Sequence, residues 1–142
     1  DELSALSRGG YLHDIGKIGI PDSILLKPTR LTPEEYELMK QHTIEGERLL
    51  SQVGGLLTEV GHIVRFCHER YDGHGYPDGL AGERIPIIAR IVCCCDAFNA
   101  MTTTRSYRAA MSLAEARAEL ELNRGTQFDP KVVDAVLALT RD

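Results

Sequence analysis

Five ionisable side chains stand out as carriers of chemistry: His13, Asp14, His42, His68 and Asp96. His13 and Asp14 are neighbours in YLHDIGKIGIPD, with Leu12 before them and Ile15, Ile18 and Ile20 after them. A carboxylate buried in such a run is strongly unfavourable unless a cation or hydrogen bonds compensate it. His42 lies three residues past Met39, and His68 four past Val64, so both fall on or beside apolar stripes of helical period. Asp96 sits within ARIVCCCDAFNAM, which is apolar on nearly every face. Imidazole and carboxylate together suit Zn, Fe, Mn, Co or Ni, and helical bundles build metal sites from ligands on facing helices. Asp14 beside His13 could bridge two ions, and two ions about 3.5–4 Å apart activate a hydroxide and clamp a phosphoryl group. Taken singly, each group has a plainer reading. A lone histidine is a hydrogen-bonded core residue, Asp96 a partner for Arg90 or Arg105, and Asp14 an i,i+3 partner for Lys17.

The elements that must position these groups read as helices almost throughout. Residues 2–15 form the first, ended by Gly16, and the stretch from Ile18 to Arg30, with Pro21 and Pro28, is a connecting loop. Thr32, Pro33 and Glu35 make a capping box. It opens a helix carrying Tyr36, Met39, Thr43, Gly46, Leu50 and Val53 on one stripe, as far as the Gly54-Gly55 break. A helix over 56–70 follows, then the Gly/Pro-rich loop YDGHGYPDGLAGERIP, then a buried helix over 86–101. Ser112 with Glu115 caps a helix running to 124. Asp129 and Pro130 open the last, with Val132, Val133, Val136, Leu137 and Leu139 for the core. No period-two pattern appears, so the expected fold class is all-α.

The 142 residues suit a single domain, and 43% apolar with 26% charged residues suits a soluble globular chain. A net charge of −5 argues against non-specific nucleic-acid binding. An anionic substrate would need a local positive feature such as a divalent metal. No run reaches membrane-span length and no signal peptide is visible. Cys67 and the run Cys93-Cys94-Cys95 lack metal-binding spacing and read as buried free thiols, which fits a reducing, cytoplasmic setting. The chain starts at Asp1 inside a predicted helix. The expectation is one domain over 1–142, incomplete at its N-terminal side.

The segments HDIGKIGIPDSILLKP, LTPEEYELMKQHTIEG, HERYDGHGYPDGLAGERIP, ARIVCCCDAFNAMTTTRSYR and GTQFDPKVV occur in that order. In series they resemble the HD-GYP domain, a subgroup of the HD phosphohydrolase superfamily, from about residue 11 to 136. The resemblance implies an HD-domain helical bundle with a GYP loop and a two- or three-metal centre that hydrolyses cyclic di-GMP to pGpG, GMP or both in bacterial signalling. It places the metal ligands on His13, Asp14, His42, His68 and Asp96, with Asp14 bridging. It gives Lys17 a contact to the scissile phosphate or hydroxide, lines the cleft with Gly75, Tyr76 and Pro77, and assigns phosphate contacts to Arg105 and Arg108. It also implies an upstream sensor or receiver domain as partner. Tyr76 could stack on a guanine or pack the loop.

Some positions depart from the family. Cys67 stands where a second histidine is common. It is either a thiolate ligand or a neutral packing residue, and the latter puts a third metal in doubt. Asn99 replaces a common Asp, Ser106 a common Pro, and the family's upstream Glu and His ligands are not in this chain. Glu69 reads as a structural partner for a nearby base or support for a ligand, while His62 and His74 read as solvent-facing. Two further functions stay open: an HD-type phosphohydrolase acting on another nucleotide, and a degenerate module that binds without turnover.

Overall fold

Thr32 and Ser112 open helices as their spacing predicts. The Thr32 hydroxyl accepts the Glu35 N–H at 3.3 Å while the Glu35 carboxylate accepts the Thr32 N–H at 2.8 Å. Ser112 and Glu115 repeat the exchange at 3.2 and 2.8 Å, so each box satisfies two donors left over at a helix start. The computed structural model describes residues 2–104 and 109–140. Arg105 and Arg108 therefore lie outside the described residues. Within them run α1 (Glu2–Leu12), α2 (Asp22–Leu25), α3 (Pro33–Lys40), α4 (His42–Val53), α5 (Leu56–Phe66), α6 (Ile87–Thr102), α7 (Leu113–Leu122) and α8 (Pro130–Leu139). Short 3-10 turns span Ile15–Gly19 and Gly82–Arg84. Among the described residues there is no strand. Two isolated bridges pair Asp72 with Ala81 and Arg124 with Phe128, and the fold is all-α.

Three helices end earlier than periodicity predicts. The first stops at Leu12 rather than 15, the helix over 33–53 is broken at Gln41, and the helix over 56–70 stops at Phe66. Helix ends leave backbone carbonyls without partners, and side chains take them. The His13 ring takes the carbonyl of Gly10 at 2.7 Å. At Gln41, the His42 ring takes Met39 O at 2.7 Å and the Thr43 hydroxyl takes Lys40 O at 3.0 Å. A short helix, α2, also forms inside the stretch expected as a loop.

The core has three patches. Leu50, Val60 and Val64 seal α4 against α5, with Leu12 and Leu57 packed on them. Ala5, Ile63, Cys67, Ile85, Ala89 and Val92 join α1, α5 and α6. Cys94, Met101, Leu120, Phe128, Val132, Val133 and Val136 join α6 to α7 and α8. Helix α6 thus belongs to both larger patches. Its cysteines do not all bury: Cys94 is buried, Cys93 half-buried and Cys95 exposed. Successive residues turn about 100° around a helix, so three in a row cannot share one face. Tyr36, Val53 and Leu139, expected in the core, are exposed.

Candidate metal centre

The 3-10 turn that carries Asp14 lies directly on α4. A Cβ at Gly16 would fall 1.7 Å from His42 O and 2.6 Å from Gly46 N, so only glycine permits the approach. Gly46 in turn sits against Val64 of α5, where a Cβ would be 2.7 Å from a side-chain methyl. These two glycines bring the end of α1, the start of α4 and the end of α5 together. His13, Asp14, His42 and His68 ride on those ends, and Asp96 projects from the middle of α6.

The structure brings all five of these side chains together. His13 Nε2 is 3.6 Å from Asp14 Oδ2 and 3.5 Å from Asp96 Oδ1. His42 Nε2 is 3.7 Å from Asp14 Oδ1. One donor atom each from Asp14, His42 and His68 lie within 4.8 Å of one another. The tautomers follow from the partners: a carbonyl can only accept, so the Nδ1 atoms of His13 and His42, 2.7 Å from Gly10 O and Met39 O, carry the protons. In a neutral His42 ring the Nε2 lone pair then faces an Asp14 oxygen at 3.7 Å. Acceptors facing acceptors, at separations too long for hydrogen bonds, form an arrangement that a shared cation stabilises. His42 Nε2 and His68 Nε2 are buried without a hydrogen-bond partner among the described residues, a rare state for a buried polar atom. By these observations the donor set fits a divalent metal.

The protonation states agree with that fit. Burial lowers the pKa of His42, and burial, with His42 beside it, pushes His68 down to about 4. Both rings are therefore neutral at neutral pH, as metal ligation requires. Burial works against the Asp14 carboxylate. The Lys17 hydrogen bond and charge outweigh it, so Asp14 stays below the usual carboxylate range. Lys17 Nζ donates to Asp14 Oδ2 at 2.8 Å.

The remaining sequence-derived positions fall at varying distance from this group. Tyr76 stacks on His68, with centroids 5.2 Å apart and planes at 17°, and meets Tyr36 edge-on at 6.3 Å. One face of the ring is thus taken by protein. The Tyr76–Pro77 peptide bond is cis. Cys67 is buried among Ile63, Ile85, Ala89 and Val92 and donates to Val64 O at 3.1 Å. Burial pushes its thiol far above the ordinary range, so it sits as a packing residue rather than a thiolate ligand. Arg90 does not pair with Asp96: it donates to Ile85 O at 2.9 Å and to Asp129. A cleft of about 400 Å³ opens beside His13 and Asp96, lined by Tyr11, Ile91, Cys95 and Asn99 among others. His62 and His74 are exposed.

Glu69 was expected to partner a nearby base or to support a ligand; its carboxylate instead serves loop backbone. It is buried, and its carboxylate accepts the N–H groups of Asp78, Gly79 and Leu80 at 2.7, 3.1 and 3.0 Å. The signal was faint because the partners are backbone groups of any residue type.

A bundle of short helices whose ends converge on an imidazole and carboxylate cluster defines a helical domain with a candidate metal centre. The chain belongs to the HD domain family, whose pattern it matches over residues 2–132, and HD domains bind divalent metals. It is 47% identical over 138 residues to the cyclic di-GMP phosphodiesterase response regulator RpfG of Xanthomonas campestris, covering 96% of this chain and 36% of that protein. It is 50% identical over 132 residues to a cyclic di-GMP phosphodiesterase of Thermotoga maritima, covering 92% and 36%. It is 38% identical over 137 residues to the 3'3'-cGAMP-specific phosphodiesterase 2 of Vibrio cholerae, covering 96% and 26%. The chain spans between about a quarter and about a third of the length of these curated relatives. Among the described residues, no helix is long and apolar enough to cross a membrane.

Proposed function

We propose that this chain is a metal-dependent cyclic-dinucleotide phosphodiesterase domain that opens cyclic di-GMP to pGpG, GMP or both. The observation that carries this reading is the pair of buried Nε2 atoms of His42 and His68, without a hydrogen-bond partner among the described residues, on rings gathered with Asp14, in a chain whose relatives are named for this activity. His13, Asp14, His42, His68 and Asp96 would hold two divalent transition-metal ions, with Asp14 shared between them. When bound, such ions supply Lewis acidity, making water a usable nucleophile at neutral pH and neutralising phosphate charge. The chain's own residues do the rest. The Gly10 and Met39 carbonyls hold two of the imidazoles in register. Lys17 keeps Asp14 ionised and offers its remaining ammonium protons to a phosphoryl oxygen. Arg105 and Arg108 are proposed to grip the second phosphate, and Tyr76 and Pro77 to wall the cleft. The relative named as a response regulator supports a sensor or receiver domain as the regulatory partner.

A second substrate reading has its own support, because a relative is named for 3'3'-cGAMP. Both readings are tested together by loading the chain with Mn2+ or Fe2+, counting ions by elemental analysis, and assaying both cyclic dinucleotides. Release of pGpG or GMP from cyclic di-GMP is the expected result. Cleavage of 3'3'-cGAMP alone would select the second reading, and metal uptake without cleavage of either would leave a binding module. Asp14→Ala should lose metal and turnover together while keeping its helical circular dichroism, since removing a charge with its counter-ions can be nearly neutral for folding. Full turnover in that variant would remove Asp14 from the centre.

A further inference from the structure

His68 differs from the other two clustered histidines. His13 and His42 are each oriented by a carbonyl at 2.7 Å. His68 Nε2 is buried and has no hydrogen-bond partner among the described residues. Two rings pack against it: His42 in a T-shaped arrangement with centroids 5.0 Å apart, and Tyr76 nearly parallel at 17°. His42 is fixed by its own carbonyl contact, so the ring contact to His68 that the loop sets is that of Tyr76.

That loop is held from the residue next to His68. The Glu69 carboxylate, 2% exposed, gathers three consecutive N–H groups from residues 78 to 80. Charge-assisted bonds of this kind are about twice as strong as neutral ones. A second tether comes from α5: Arg65 donates to both carboxylate oxygens of Asp78 at 2.8 Å and to Glu47 at 2.7 Å. Between the tethered segment and His68 the fit is tight. The Tyr76 N–H donates to His68 O at 3.3 Å. A Cβ at Gly75 would lie 2.6 Å from His68 O, 2.6 Å from Glu69 Cα and 2.3 Å from Arg70 N.

We propose that Glu69 is a positioning residue for His68, acting through the loop backbone at 78–80 and the stacked ring of Tyr76. Its consequence for metal affinity rests on the metal-binding reading above; its consequence for the imidazole does not. In the metal-free chain, the His68 ring protons carry an upfield ring-current shift from Tyr76. Glu69→Ala moves those resonances back toward free-histidine positions, as does Tyr76→Ala. In calorimetric titration with Mn2+, each variant weakens binding about tenfold, the lower end for residues that orient ligands. The double variant loses no more than about twofold beyond either single one, because both act through one contact. Tyr76→Phe, which keeps the ring, keeps the shift and the affinity. Should Glu69→Ala fail to fold, Glu69→Gln carries the same readouts, since its amide cannot accept all three N–H groups. An unchanged His68 shift in a folded Glu69 variant overturns the proposal, and so do additive losses in the double variant. A wild-type chain that binds no Mn2+ yet shows the Glu69-dependent shift overturns the metal reading alone and supports the positioning.

Discussion

Lys17 sets the charge state of the centre. Its ammonium lies 2.8 Å from Asp14 Oδ2 and helps hold that carboxylate ionised against burial. Under the proposed function it has a second task, meeting negative charge as the phosphate is attacked. The two tasks separate in Lys17→Met, because bound metal ions also hold Asp14 ionised but do not supply the ammonium's hydrogen bond to a phosphoryl oxygen. The expected variant keeps its metal content, while kcat for cyclic di-GMP falls by roughly 10²–10³, the usual effect of removing one transition-state donor. Loss of metal in step with kcat would show that Lys17 serves the site only by holding Asp14. At this scale much was legible in the sequence. His13, Asp14, His42, His68 and Asp96 were conspicuous as ionisable groups in apolar surroundings, and they do converge. Less legible was any role fulfilled through backbone: Glu69 serves N–H groups nine to eleven residues downstream, and no side-chain pattern records those. Cys67 was left between ligand and packing, and only its hydrogen bond to Val64 O and its apolar neighbours decide for packing.

Helix ends are the elements that matter here. Capping boxes, the Gly54-Gly55 break and the Asp129-Pro130 start all lie where the residues place them, because each is a local signal. The early ends at Leu12, Gln41 and Phe66 were not legible, since the apolar stripe continues in phase across them. Yet those ends free the carbonyls that orient His13 and His42. The close approach of the Ile15–Gly19 turn to α4 makes this arrangement testable. In Gly16→Ala the new methyl would start 1.7 Å from His42 O, a backbone atom, so the turn must lift away. Overpacking of this severity costs on the order of 3 kcal/mol. Urea melts should show a loss of that size. Gly10→Ala is the comparison: its Cβ meets nothing within 4 Å, and in the last turn of α1 the change should be neutral or stabilise by less than the ~1 kcal/mol of a helix interior. Equal midpoints for the two variants would mean that the turn does not pack on α4.

The whole molecule is organised around α6, which contributes Asp96 to the centre and Cys94 and Met101 to the distal core with α7 and α8. The distal half reaches the site's loop through backbone: Tyr71 and Asp72 N–H groups donate to Gln127 and Thr126 carbonyls at 3.2 and 2.8 Å. One buried ion pair joins α6 to α8. Arg90 reaches Asp129, whose carboxylate is 1% exposed, and the other Asp129 oxygen caps α8 through the Lys131 N–H at 2.8 Å. Asp129 was legible as a cap, while Arg90 was read as a candidate partner for Asp96; its pairing with Asp129 spans 39 residues and has no local signature. In Asp129→Ala the guanidinium stays buried with only Ile85 O to receive it, and α8 loses its cap. Breaking a buried pair from one side costs about 3–5 kcal/mol, which for a chain of this size lowers Tm by on the order of 10 °C. Asp129→Asn keeps an oxygen for the cap and loses the charge, so it should fall between wild type and alanine. Neither variant removes a donor from the proposed centre. Below their lower melting points both should bind Mn2+ within about twofold of wild type, the scatter expected for sites without shared partners. A large affinity loss in Asp129→Asn at full folding would instead mean that α8 and the α7–α8 loop hold the site's loop in place, and that the distal core is part of the metal centre's scaffold.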